Sequence, residues 1–168
     1  TKEHWQQKFV ITFIGSLKRW HGISFLCQLA ARFEANPQFH FLVIGDGSEQ
    51  ESILQYCCIH TNMTYKGKLN SQEMSNYLLA SDLGIMPYIK MNNFYFSPLK
   101  MYDMIGAGLP FIGTNQGQIQ EVATTLLTED FLIKHFTIED TYKQIVSLAS
   151  NQALYHAMQE TVSQMAPK

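Results

Sequence analysis

The sequence is short of most features that announce chemistry in a small protein. It has three cysteines, Cys27, Cys57 and Cys58, an odd number with two adjacent. That pattern suits neither a disulfide framework nor a C-x-x-C metal or redox site, and it points to a reducing cytosol. Charged residues make up 15% of the chain, against about 25% in ordinary domains. Twelve Lys and Arg against 14 Asp and Glu leave a net charge of −2. With no basic surplus to neutralise phosphates, a dedicated nucleic-acid binder is excluded. No apolar run approaches the ~20 residues of a membrane helix, and no charged-then-apolar leader opens the chain. The six histidines are scattered, and neither an H-x-x-x-H cluster nor a D-x-D pair occurs. A catalytic zinc or magnesium ion is therefore not expected, and no other cofactor is called for. The absence of a G-x-S-x-G elbow removes support for a hydrolase triad.

What is present is a chain of 168 residues, 46% of them apolar. That is one domain, residues 1–168, large enough to bury roughly 70% of its unfolded surface. The chain begins at Thr1 and stops at Lys168, and it reads as a piece excised from a longer polypeptide. Along it, a short β-rich run, a turn and an amphipathic helical stretch recur. Phe9–Ile14 reads as a strand stopped by Gly15, followed by helical spacing from Ile23 to Phe33. A second strand, His40–Ile44, closes on Gly45-Asp46-Gly47. Ser48 and Glu51 are spaced as a capping box before the next helix. A weaker strand falls near Met63–Tyr65, a helix capped by Ser71 follows, and Leu83–Met86 is a short strand ending at Pro87. Pro98 suits the first turn of a helix running to Ala107, with Gly108 to terminate it. Leu109–Thr114 reads as a strand, Ile119–Val122 as a short helix and Leu132-Ile133 as a weak strand. Residues Thr137–Met165 read as two helices broken at Ser150-Asn151. This alternation predicts an α/β fold, a Rossmann-like three-layer α/β/α domain with a mostly parallel sheet of about six strands.

In such sheets ligands collect beyond the carboxyl ends of the strands, where helix N-termini present N–H groups. Three loops at that end are unusual. Residues Gly15–Gly22 combine two glycines with Lys18, Arg19 and His21, a candidate anion cradle. Gly45–Gln50 starts like a dinucleotide fingerprint, but Gln50 holds the third glycine position and the motif follows the second strand. NAD is therefore poorly supported. Phe94–Pro110 brings an aromatic loop to a helix whose first two turns carry Lys100 and Asp103, on neighbouring faces. There a carboxylate could take sugar hydroxyls, and the N–H groups of Leu99 and Lys100 a phosphate.

Taken in order, the stretches FIGSLKRWHG, FLVIGDGSE, YKGKL, LLASDLGIMPY and SPLKMYDMIGAGLPFIGTNQGQIQEV resemble the C-terminal donor domain of retaining family 4 (group 1) glycosyltransferases. The resemblance runs from about residue 8 to 165. It implies a B-type glycosyltransferase fold, with this chain as the nucleotide-sugar-binding half. The missing half would be an N-terminal domain that binds the acceptor and contributes most of the catalytic machinery. The expected reaction moves a sugar from a nucleotide diphosphate sugar to a glycan or lipid-linked acceptor, in polysaccharide synthesis. By resemblance, Gly15, Ser16, Lys18, Arg19, His21, Leu99 and Lys100 are expected at the donor diphosphate. The ribose-binding glutamate falls on Asp103. The turn used against the base falls on Lys66, Gly67 and Lys68, and Tyr95, Phe96 and Ser97 are expected at the donor sugar. The chain departs from the family pattern at Tyr95, where the family has a glutamate, and at Ser16 and His21, where the family has Arg and Lys. A cytoplasmic location is implied, with peripheral attachment to the inner membrane face left open. Two other readings are a nucleotide-sugar epimerase of the same architecture and a degenerate docking module that binds no donor.

Overall fold

The computed structural model describes Trp5, residues 7–93 and residues 97–166. Six strands, β1 (Phe9–Ile14), β2 (Phe39–Ile44), β3 (Met63–Tyr65), β4 (Leu83–Met86), β5 (Phe111–Thr114) and β6 (Leu132–Ile133), alternate with helices. These are α1 (Ile23–Arg32), α2 (Gln50–Ile59), α3 (Ser71–Leu79), α4 (Leu99–Gly106), α5 (Gly117–Thr125), α6 (Ile138–Ser150) and α7 (Gln152–Met165). The sheet order is β3-β2-β1-β4-β5-β6, and every pairing is parallel. The anticipated Rossmann-like architecture is the one observed. Strand β2 is buried at every position, as a strand covered on both faces must be, which is why it reads as an apolar run interrupted only by His40.

Helices α2 and α6 pack beside α1, and α7 packs on α4. Between α6 and α7 the chain breaks at Asn151, whose side chain accepts from the Leu154 N–H at 3.1 Å and starts the new helix. Helix α7 passes under the amino end of the sheet, where the Tyr155 hydroxyl donates to the Asp82 carbonyl at 2.9 Å.

Two caps differ from expectation. Ser48 forms no capping box; Glu49 holds the N-cap of α2 without a side-chain bond, while the Ser48 hydroxyl turns to the Leu17 carbonyl at 3.5 Å. The box sits instead at α3, built by Asn70 and Glu73 rather than Ser71. Helix α5 is also longer than its apolar spacing suggested, because Gly117 and Gln118 at its start and Thr124 and Thr125 at its end fall outside the apolar period.

The second loop gains a structural account. Gly45 has φ +138°, and a Cβ there would lie 1.9 Å from the Gly15 carbonyl oxygen. The loops after β1 and β2 are laced together by Leu17 N–H to Asp46 O at 2.7 Å and Glu49 N–H to Leu17 O at 2.9 Å. The Gly-Asp-Gly sequence thus serves backbone approach between two loops.

Candidate functional site

Strand order reverses between β1 and β4, and at such a switch point the outgoing loops part to leave a crevice. Here the loop after β1 and the loop after β4 meet. Ile89 N–H donates to Trp20 O at 3.1 Å, and the His21 ring stands edge-on to Tyr88 with centroids 4.9 Å apart. Helix α4 begins at this place. Its N-cap, Pro98, provides no side-chain bond, so the first N–H groups of the helix lack the usual capping acceptor and their partial positive charge faces the crevice.

Lys100, the second residue of α4, is 7% exposed. Its Nζ lies 4.1 Å from the Phe13 ring centroid and 5.1 Å from that of Tyr88. Gly15, with φ +113°, makes the room: a Cβ there would stand 3.0 Å from Lys100 Cε and 3.1 Å from Nζ. Among the described residues Nζ has no hydrogen-bond partner. Burial pushes its pKa down from the ordinary 10.5 to about 7. A buried amine without a counter-charge is costly and is retained in folds chiefly where an anion comes to it.

His21 is buried beside it at 8% exposure. Its Nδ1 bonds the Ser16 carbonyl, and its pKa falls to about 4, first through burial and then through repulsion from Lys100. The free protein therefore carries a neutral imidazole here, with its shift opposite to the rise that an adjacent anion would cause. Gly15, His21 and Lys100 are brought together. Ser16 and Arg19 are exposed and Lys18 is half-buried. Leu99 is 74% exposed, offering its backbone rather than its side chain.

Asp103 sits one turn further along α4. It is adjacent to Lys100 on the helix yet differently directed: Lys100 is buried toward Gly15, whereas Asp103 is exposed. Its carboxylate lines an open recess of about 310 Å³ between α3 and α4, with Met74, Leu78 and Tyr102. Partial burial raises its pKa. Beyond β3, Gly67 has φ +66° and its carbonyl accepts from Gly45 N–H at 2.8 Å. The Lys66 ammonium lies 5.4 Å from the Tyr77 ring centroid, and Lys68 is exposed. Tyr95 and Phe96 lie outside the described residues. Ser97 is exposed, with its hydroxyl on the Gln118 side-chain oxygen.

That last contact belongs to a device the sequence did not disclose. Gln116, at the mouth of α5, donates to the carbonyls of Tyr88 at 3.3 Å and Ile89 at 2.9 Å, and accepts from Met91 N–H at 3.1 Å. Thr114 adds a bond to the Tyr88 carbonyl at 2.8 Å. Gln116 and Gln118 thus fasten Tyr88, Ile89, Met91 and Ser97 to the start of α5. Glutamines in a polar turn carry no periodic signal; only the pairing of a buried amide with backbone groups reveals the role.

No group of three or more His, Cys, Asp or Glu side chains able to hold a metal occurs among the described residues, and none of their helices is long and apolar enough to cross a membrane. A second recess, of about 260 Å³, lies at the β6 edge between Asp130, Lys134 and Lys143. There charges of both signs face one another, with ion pairs Lys134–Asp130 and Lys143–Glu139 at 3.8 Å. That edge has no unpaired buried group comparable to Lys100.

A switch-point crevice with an uncapped helix start and a buried amine defines a Rossmann-like domain suited to an anionic ligand. Residues 8–151 match the family model described as glycosyl transferases group 1, and the chain belongs to that family. Over 113 residues, 66% of this chain, it is 29% identical to TuaH of Bacillus subtilis, a protein named for teichuronic acid biosynthesis as a glycosyltransferase. The chain spans 28% of that relative's length. Among solved structures, the catalytic domain of cholesterol-alpha-glucosyltransferase from Helicobacter pylori has a TM-score of 0.78 at 18% identity, covering 94% of this chain and 96% of that one. Anabaena HepE in complex with UDP and glucose scores 0.77 at 15% identity, covering 95% and 43%. The C-terminal domain of the group 1 glycosyl transferase LpcC from Francisella tularensis scores 0.72 at 14% identity, covering 98% and 91%. These likenesses establish a shared fold.

Proposed function

We propose that this chain is the donor-binding half of a glycosyltransferase that takes a sugar from a nucleotide diphosphate sugar. In this reading the acceptor is a glycan or a lipid-linked glycan. An N-terminal domain of the same parent chain completes the cleft, and the anomeric configuration is retained. Polysaccharide synthesis at the cytoplasmic side is the setting, consistent with the naming of TuaH. The observation that carries the proposal is the convergence of Gly15, the α4 N-terminus and the unpaired Lys100 amine at the switch point.

The chemistry follows from charge. Breaking a sugar–diphosphate bond builds negative charge on the departing phosphate, and groups fixed in place to meet that charge lower the barrier. The N–H groups of Leu99 and Lys100 and the backbone at Gly15 and Ser16 would face the diphosphate. Lys18 and Arg19 would add charge from the rim. Asp103 would accept from the ribose hydroxyls, the Lys66–Lys68 turn would meet the base, and residues Tyr95–Ser97 would meet the sugar. Cations and amides would act in the place of a divalent metal. Without a second domain to supply the acceptor, this chain alone would bind donor and transfer nothing.

Calorimetric titration with UDP, GDP, ADP and pyrophosphate tests the reading. At least one nucleoside diphosphate is expected to bind. Asp103→Ala should weaken it at least tenfold while leaving pyrophosphate unchanged, because pyrophosphate has no ribose. Equal loss for both would refute the ribose role. Binding of none would refute the donor reading and favour a docking module.

A further inference from the structure

We propose that Lys100, rather than Lys18 or Arg19, is the charge that grips the donor's diphosphate, and that it takes up a proton as the diphosphate binds. The inference rests on the donor reading above and deepens it. It begins with what surrounds Nζ. Strand β1 offers the Phe13 ring, the loop after β1 offers Gly15, and the loop after β4 offers Tyr88. The titratable groups near it are His21 and Tyr88, with Lys18 close enough to His21 to depress that ring further. None is an anion at neutral pH: burial raises the Tyr88 phenol well above its usual range. Among the described residues the amine therefore has aromatic faces and a neutral imidazole for neighbours, and no carboxylate.

Two consequences follow. First, the other basic groups are poor grips. Arg19 is exposed and Lys18 half-buried, so water and salt screen them. His21 is neutral, and with its Nδ1 proton given to the Ser16 carbonyl its other nitrogen presents a lone pair, which repels a phosphate oxygen. Second, Lys100 is held in a place where charge is disfavoured until an anion arrives, since burial penalises the ammonium and an adjacent anion restores it. With its pKa brought down to about 7 in the free protein, the amine is largely uncharged at pH 8. Binding then adds one proton from solvent to the Nζ lone pair, forming the ammonium that bonds the phosphate oxygens.

The test is titration of this chain with UDP, GDP and ADP at pH 8 in two buffers of different ionisation enthalpy. Uptake approaching one proton per nucleotide is expected, and affinity should fall roughly 10- to 30-fold between pH 7.5 and 9. Lys100→Met should abolish the uptake and cost at least tenfold in affinity. The double variant Lys18→Ala/Arg19→Ala, which removes charge only from the screened rim, should keep the proton uptake and lose less affinity at about 0.15 M salt than Lys100→Met does. Urea unfolding of Lys100→Met and Lys100→Gln confirms that each variant is folded. If a nucleotide binds without proton uptake, or binds Lys100→Met as well as the parent, the inference is overturned while the donor reading stands. If no nucleotide binds the parent, both fall.

Discussion

Removing the Lys100 charge should make the free protein more stable, because the fold carries a cost there that only a ligand offsets. The shift from 10.5 to about 7 corresponds to roughly 5 kcal/mol at most, at about 1.4 kcal/mol per pH unit. The Phe13 and Tyr88 rings, at 4.1 and 5.1 Å, return about 1–2 kcal/mol as cation–π attraction. Lys100→Met keeps the length of the side chain and discards the charge, so a gain of up to about 3–4 kcal/mol is expected at pH 7. The pH dependence separates this cause from better packing. An unfolded lysine keeps its proton up to about 10.5 while the folded one has lost it, so the unfolded state binds more protons in that window. The parent therefore gains stability as pH rises above about 7, and the advantage of Lys100→Met should shrink toward zero near pH 10. Urea unfolding of both proteins at pH 7, 8.5 and 10 measures it. A variant less stable than the parent, or a gain that does not change with pH, would refute the claim of a buried amine without a counter-charge.

Three further outcomes are expected. Gln116→Leu leaves the Met91 N–H and the Ile89 carbonyl without their side-chain partner and the Tyr88 carbonyl with Thr114 alone; it should cost about 2–3 kcal/mol in urea unfolding. The Met91 amide should also exchange hydrogen faster in that variant, and an unchanged rate would remove the glutamine from loop fastening. Gly45→Ala places a methyl 1.9 Å from the Gly15 carbonyl oxygen, whereas Gly67→Ala meets nothing within 4 Å. The first should leave little folded protein and the second should cost only about 1–2 kcal/mol of backbone strain, and equal effects would contradict the loop packing. Lys134→Ala, at the β6 edge, should alter nucleotide affinity by less than about twofold in the same titrations, since exposed ion pairs contribute little.

The sequence carried the six strands and their parallel pairing well, because β-branched runs, glycine stops and helical spacing all repeat with the βαβ period; the order of the strands came from the structure. It carried Gly15, His21 and Lys100 as site candidates through their place after strands. It could not tell which cation is buried: Lys18, Arg19 and Lys100 are alike as letters, and only the packing of α4 against β1 sends one of them under Tyr88. The box at Asn70 was missed because Ser71 is an equally good capping residue by type, and backbone geometry chooses between them. Ser48 looked like a cap until the lacing of two loops claimed its hydroxyl. Gln116 and Gln118 were invisible because their roles depend on two carbonyls and a hydroxyl about 20 or more residues away.

The central claim is that the carboxyl end of β1 and the start of α4 form one anion site. Backbone amide shifts recorded during titration with pyrophosphate, then with UDP, test it most directly. The account predicts that pyrophosphate moves the resonances of Gly15, Leu99 and Lys100, and that UDP adds shifts at Asp103 and Gly67. Shifts confined to the β6 edge around Lys134 and Lys143, or none at saturating pyrophosphate and UDP, would contradict it.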